Sequence, residues 1–197
     1  IRDSHSVPAC QSIVKKAVVD RLSAAYGLAQ LPETGRRYQV RFSIMKDEVT
    51  VGLDTSGEGL YKRGYRAHGV AAPLKETLAA AMVKLSHYSG RDPFCDPFCG
   101  SGTLLIEAAQ KAMNIAPGLK RRFAAERYSF VPAAVWAEQR QKALAESKLD
   151  VGFEAFGYDI DPAAVALANA NAKLAGVEKR CHFEAVSYTH LTLPTKL

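Results

Sequence analysis

Apolar residues at Cys10, Ile13, Val14, Ala17, Val18, Leu22, Ala25 and Tyr26 recur at helical spacing, with Lys15, Lys16, Asp20 and Arg21 mostly on the opposite side. Pro8 in the first turn and Gly27 just beyond the end punctuate a helix over 7–26. After a turn at 31–35, Tyr38, Val40, Phe42 and Ile44 alternate with Gln39, Arg41 and Ser43, and Lys46, Asp47 and Glu48 turn the chain into Val49, Val51 and Leu53. That pattern predicts a half-buried β-hairpin. Leu74, Leu78, Ala81, Met82 and Leu85 predict a second amphipathic helix, opened by Pro73 and closed near Ser89 and Gly90.

The rhythm then changes. A short strand over Phe94, Cys95 and Asp96 runs into a glycine-bearing loop at 97–101 and a helix over 102–113, with Leu105, Ile106, Ala108 and Ala109 as its core candidates. An irregular basic stretch, 114–130, leads to a helix from Pro132 to about Leu149 and a strand over 153–158. A helix follows, with Asp161 as N-cap, Pro162 at its first position and Gly176 as its stop, and a strand over 180–186 closes the series. Strands alternating with helices predict an α/β fold with a parallel sheet, right-handed crossovers and ligands at the carboxyl ends of the strands.

Composition narrows the class. The 197 residues are 48% hydrophobic and 23% charged, with mean hydropathy −0.11, which excludes wholesale disorder. No apolar run reaches membrane-spanning length and no signal-peptide pattern opens the chain, so the expected compartment is the cytoplasm, with no membrane partner. A net charge of +6 and a pI near 9.2 favour polyanionic partners. Cys10, Cys95, Cys99 and Cys181 lack zinc spacing and read as reduced, mostly buried thiols, and no metal is expected. The chain opens at Ile1 without an initiator Met, and one helix plus one hairpin bury too little to stand alone, so the sequence reads as a fragment.

The sharpest local feature is Asp96-Pro97-Phe98-Cys99-Gly100-Ser101-Gly102-Thr103, set between a strand and a helix. It lacks the lysine of a triphosphate-binding loop and has Leu105 where a dinucleotide fingerprint needs its third glycine. The Asp96 carboxylate would repel a pyrophosphate, but it suits the cationic ammonium and sulfonium of S-adenosylmethionine. A second acidic residue, Asp159, ends the next strand and would receive ribose hydroxyls. The plain alternatives are that Gly100 and Gly102 only make a tight turn and that Asp159 only caps. Asp96 and Asp159 stand 63 positions apart, so the basic stretch and its extra helix form an insertion. Lys120, Arg121, Arg122 and Arg127 lie in it, and Lys62, Arg63 and Arg66 form a second cluster interleaved with Tyr61 and Tyr65. Phosphate contact with base stacking, or a solvated charged face, would each account for them.

Four segments carry a family likeness: 53–57, 60–66 (Leu-Tyr-Lys-Arg-Gly-Tyr-Arg), 72–79 (Ala-Pro-Leu-Lys-Glu-Thr-Leu-Ala) and the 96–103 loop, continued by 104–109 and 114–118. Together they resemble the THUMP-domain class I RNA methyltransferases, some once described as N6-adenine-specific DNA methylases, with the likeness covering roughly 12–186. The resemblance implies a Rossmann-like class I methyltransferase sheet, N-terminal part only, over 58–186, preceded over 1–57 by the end of an α+β THUMP module. It implies methyl transfer from S-adenosylmethionine to guanine N2 in RNA, ribosomal before transfer RNA. Carried over by position, Asp96, Pro97, Phe98, Gly100, Ser101, Gly102 and Thr103 would hold the methionine end, Asp159 the ribose, and Pro73 and Thr77 the same pocket. Lys62, Arg63, Arg66, Lys120, Arg121 and Arg122 would face RNA.

The sequence departs from that family after Val186. An Asn-Pro-Pro-Tyr/Phe motif that would hold the target amino group is missing, and 187–197 reads as an anomalous tail unrelated to the gene. The catalytic residues are therefore unassigned, and this chain is expected to be inactive alone. Two other readings stay open: a non-catalytic RNA-binding fragment, and an N6-adenine DNA methyltransferase. Cys99 has no base or cation placed beside it, so it is not expected to act as a nucleophile.

Overall fold

A computed structural model of the chain describes residues 6–32, 34–66 and 73–186; the 187–197 tail and Ala72 lie outside the described residues. Two compact units divide between Arg37 and Tyr38. The first contains α1 (Val7–Tyr26), where the sequence predicts it, with Pro8 at its start and Gly27 in the left-handed conformation at its end. None of its residues is buried. Of the periodic stripe, Cys10, Val14 and Val18 are half-buried and the rest are exposed.

The second unit opens with the predicted hairpin, β1 (Val40–Met45) and β2 (Glu48–Leu53), in register from Val40 opposite Leu53 to Met45 opposite Glu48. Lys46 and Asp47 both take positive φ, the mirror-image turn that matches strand twist. The expected half-burial is not seen, because Val40, Ile44, Val49, Val51 and Leu53 stand exposed. Alternation identifies a face but not its cover. What fastens the hairpin is at its base: Tyr38 stacks on Tyr128 at 4.7 Å, the Tyr128 hydroxyl donates to the Asp54 carbonyl, and Asp54 pairs with Arg41 at 2.8 Å.

α2 (Glu76–Leu85) starts three residues after Pro73 and stops before the predicted end. Its inward face is also not the predicted one. Glu76, Ala79 and Val83 are buried, while Leu78, Met82 and Leu85 are exposed. Small residues let the helix lie close against α3 (Thr103–Ala112), and Arg66 compensates the buried Glu76 at 2.6 Å.

β3 (Phe94–Asp96), α3, α4 (Ala133–Ala145), β4 (Ala155–Asp159), α5 (Pro162–Ala175) and β5 (Cys181–Ala185) follow in the predicted order. The strands form one parallel sheet in the order β3-β4-β5, the α/β arrangement the alternation implies. Leu105, Ile106, Ala108 and Ala109 on α3 are fully buried, as expected, against Phe153, Ala155, Ala172 and Val177. Leu105→Ala is expected to lower the unfolding free energy by about 2–5 kcal/mol, whereas Leu78→Ala should change it by less than about 1 kcal/mol. Chemical denaturation checks both, and the reverse order would contradict this packing.

Candidate functional site

The sheet register sets Asp96 beside Gly157, so two residues further on Asp159 leaves the same end of the sheet. The 63 positions between them in the sequence collapse to adjacent strands. The Asp159 carboxylate ties the two strand ends together: Oδ2 accepts the Gly100 N–H at 2.8 Å, and Oδ1 accepts the Asp161 N–H at 3.0 Å. Asp161 itself caps α5, accepting from the Ala163 N–H at 2.9 Å, as expected. Asp96 Oδ1 accepts the Phe98 N–H at 3.0 Å. Burial pushes the Asp96 carboxyl above its usual range; the Phe98 N–H opposes that shift and the nearby Asp159 charge adds to it.

The loop between these carboxylates is held from three sides. Cys99 N–H donates to the Tyr158 carbonyl at 2.8 Å, and buried Asn171 on α5 donates to the Ser101 carbonyl at 3.1 Å. Gly102 has φ +76°, and a Cβ there would stand 2.8 Å from the Phe183 ring and 3.0 Å from Ala168 Cβ. Glycine is therefore required by both conformation and space. Asn171 was not anticipated, although its place among Val165, Ala168, Ala172 and Ala175 on the buried face of α5 is a polar residue at a core position. Cys99 is buried, and burial pushes its thiol up to about 12, which leaves no thiolate for nucleophilic work. Phe98 is exposed, and Ser101 and Thr103 are buried with their hydroxyls 3.3 Å apart. Thr77 is exposed on the first turn of α2, and Pro73 lies on the wall of a separate cleft.

That cleft, of about 950 Å³, lies between the 56–66 segment and the insertion. The predicted basic residues all line it, but they divide into two groups. Arg121 is 7% exposed and its guanidinium donates inward to the carbonyls of Ser56, Glu58, Gly59 and Lys62 at 2.6–3.4 Å. Its two terminal nitrogens thus meet backbone carbonyls of one wall, while its Nε is buried without a hydrogen-bond partner among the described residues. Arg63 reaches buried Glu107 at 3.4 Å, beside the Tyr65 hydroxyl that donates to the same carboxylate at 3.0 Å. Arg66 spans Glu76, the Leu74 carbonyl and Thr103, joining this segment to the start of α3. Lys120 donates to the Leu174 carbonyl. Lys62 pairs with Glu58 at 2.8 Å and Arg122 with Glu126 at 3.1 Å, both at the surface. Arg140, missed in the sequence, clasps the insertion through the Leu119 and Arg121 carbonyls and Glu126.

A carboxyl raised by burial is least favourable when ionised, so folding with Asp96 charged costs stability above its raised pKa and less as pH falls through it. Asp96→Asn keeps an acceptor for the Phe98 N–H. It is expected to raise the melting temperature of the ligand-free chain at pH 7, and a lowered one would contradict this electrostatic account.

The family model described as UPF0020, RMKL-like, methyltransferase domain, matches residues 63–197. YpsC of Bacillus subtilis (strain 168), named as a candidate RNA methyltransferase, is 43% identical over 189 residues, 95% of this chain and 49% of that protein. Ribosomal RNA large subunit methyltransferase K/L of Vibrio campbellii is 41% identical over 162 residues, 79% of this chain and 23% of that one. A crystal structure from Listeria monocytogenes, described as a predicted N6-adenine-specific DNA methylase, superposes with a TM-score of 0.91 at 44% identity, covering 97% of this chain and 50% of that one. SMU.472 complexed with SAH superposes at 0.89 and 37% identity, covering 98% and 51%. The chain spans about half the length of three of these relatives and about a quarter of the fourth. With a class I methyltransferase sheet, a glycine loop clamped between two strand-end carboxylates and a matching model over most of its length, the chain belongs to the RMKL-like methyltransferase domain family.

Proposed function

We propose that this chain binds S-adenosylmethionine for transfer of its methyl group to guanine N2 in RNA, ribosomal RNA first. The observation that carries the reading is the Asp159 carboxylate receiving the Gly100 and Asp161 N–H groups at the carboxyl ends of adjacent parallel strands, with Asp96 beside it. The fit is chemical. Asp96 and Asp159 place two carboxylates close enough for Asp159 to push Asp96 upward, and a cationic ligand relieves that repulsion where an anionic one would worsen it. Asp159 has one N–H on each oxygen, which leaves a lone pair on each for ribose hydroxyls. When bound, S-adenosylmethionine supplies an electrophilic methyl on sulfur. Support also comes from the SAH held by SMU.472 and the ribosomal RNA named for the Vibrio relative.

The chain's own residues bind and orient. Asp96 would attract the ammonium end, the Gly100 to Gly102 backbone would pass close beneath it, and Asp159 would fix the ribose. A guanine N2 lone pair is drawn into the ring, so transfer needs a base taken out of its stack and aligned with the methyl; as the N–C bond forms, the bond from sulfur to the methyl breaks to leave the thioether SAH, and N2 gives up a proton to solvent. The residues that receive the base are not among those identified in this chain. In this reading 1–57 is the end of a THUMP module and 58–186 the cofactor half. The Listeria protein's description favours a second reading, adenine N6 in DNA.

Calorimetric titration with SAH should give saturable micromolar binding, weakened about 10- to 100-fold by Asp159→Ala, the range for a lost charged hydrogen bond. Asp96→Asn should bind it poorly while remaining folded. Affinity should be flat near neutrality and fall with pH through the raised Asp96 pKa, sooner than an ordinary aspartate would allow. No heat from the folded chain would overturn the reading. Chromosomal Asp96→Ala should remove N2-methylguanosine from ribosomal RNA; loss of N6-methyladenine from DNA instead would establish the second reading.

A further inference from the structure

The cleft between the 56–66 segment and the insertion is separate from the Asp96 and Asp159 carboxylates, which do not line it. Eight basic side chains face it against two carboxylates, Glu58 and Glu76. It is also built firmly. Arg121 holds four carbonyls of one wall, and Gly64, at φ +91°, passes so close to the Lys120 carbonyl that a Cβ would stand 2.6 Å from it. With Arg63, Arg66 and Arg121 engaged internally, the charges left to meet a ligand are at the rim. Arg122 is 89% exposed and shares Glu126 with Arg140, Lys62 is paired with Glu58 at the surface, and neither Arg127 nor Lys75 meets a carboxylate among the described residues. Tyr61 lies on the same rim, 37% exposed, one ring edge seated on Gly59 and the Lys75 ammonium 5.5 Å from its ring centroid.

We propose that this cleft seats one nucleotide of single-stranded RNA, its phosphate on Arg122, Arg127 and Lys75 and its base on the Tyr61 ring. The chemistry favours RNA over a folded protein partner: a concentrated cation excess with one exposed aromatic ring suits a phosphodiester with a stacking base. The cleft's volume also suits a single nucleotide unit better than a flat protein contact. The choice of RNA rests on the methyltransferase reading above, but the seat stands on its own residues. It anchors strand beside the cofactor site, through the Arg66 link to Thr103, without taking part in methyl transfer.

The test is fluorescence anisotropy of a labelled single-stranded ten-nucleotide RNA over a range of salt, with SAH calorimetry on every variant. Arg122→Ala with Arg127→Ala should weaken RNA binding at least about tenfold and flatten the log–log salt slope by up to roughly 0.7, the contribution of the one single-strand phosphate no longer neutralised. Tyr61→Ala should weaken it about tenfold and Tyr61→Phe should restore it. Lys84→Ala with Arg91→Ala, which removes the same charge from exposed positions that do not line the cleft, should have little effect. SAH affinity should be unchanged throughout, so loss of RNA binding is distinguishable from failure of the cofactor reading. Equal weakening by the Lys84→Ala, Arg91→Ala variant, or unchanged binding in the cleft variants, would overturn the proposal. So would saturable micromolar binding of guanosine monophosphate that the RNA does not compete away.

Discussion

One carboxylate organises the site. Asp159 accepts the N–H of Gly100 on one side and of Asp161 on the other, so the loop after β3 and the start of α5 are tied to a single group at the end of β4. Ionised carboxylates accept such bonds strongly. The glycine loop is then confined between this group, the Tyr158 carbonyl and Asn171, and Gly102 is left so little room that a methyl would strike the Phe183 ring. The sheet supplies the rest, because parallel pairing of β3 with β4 brings Asp96 and Asp159 to one end of the fold. Without that pairing the two residues are held apart by the whole length of the insertion.

Much of this was legible in the residues themselves. Punctuation carried the helices: Pro8 and Gly27 mark α1, and Asp161, Pro162 and Gly176 mark α5 at its observed ends. The loop at 96–103 and the strand end at Asp159 stand out because α/β folds place ligands there, and residue type alone argues for a cation rather than a phosphate. Periodicity failed where a helix is apolar on more than one side. In α2, Leu78, Met82 and Leu85 make the more hydrophobic stripe, yet close approach to α3 selected Ala79 and Val83, and Arg66 made a buried Glu76 tolerable. A pattern of single residues does not contain that tertiary pairing.

Charge shows the same limit. The basic clusters around Lys62 and Arg121 are indistinguishable in the sequence from a phosphate-binding face, and the structure separates them by where each donor ends. Arg121, Arg63 and Arg66 stabilise one wall against backbone carbonyls, Glu107 and Glu76, whereas Arg127 and Lys75 meet no carboxylate among the described residues and Arg122 pairs with Glu126 at the exposed rim. The positive balance of the chain is thus partly spent in holding the fold.

The most direct measurement is a heteronuclear NMR titration of the amide-labelled chain with SAH. Because Phe98, Gly100 and Asp161 donate their N–H groups to the two carboxylates, a cofactor seated there should shift those three resonances together in a saturable manner. Thr50 and Val51 in the hairpin should stay in place. Saturation that moves the hairpin or the basic cleft, and leaves those three amides unchanged, would contradict the account.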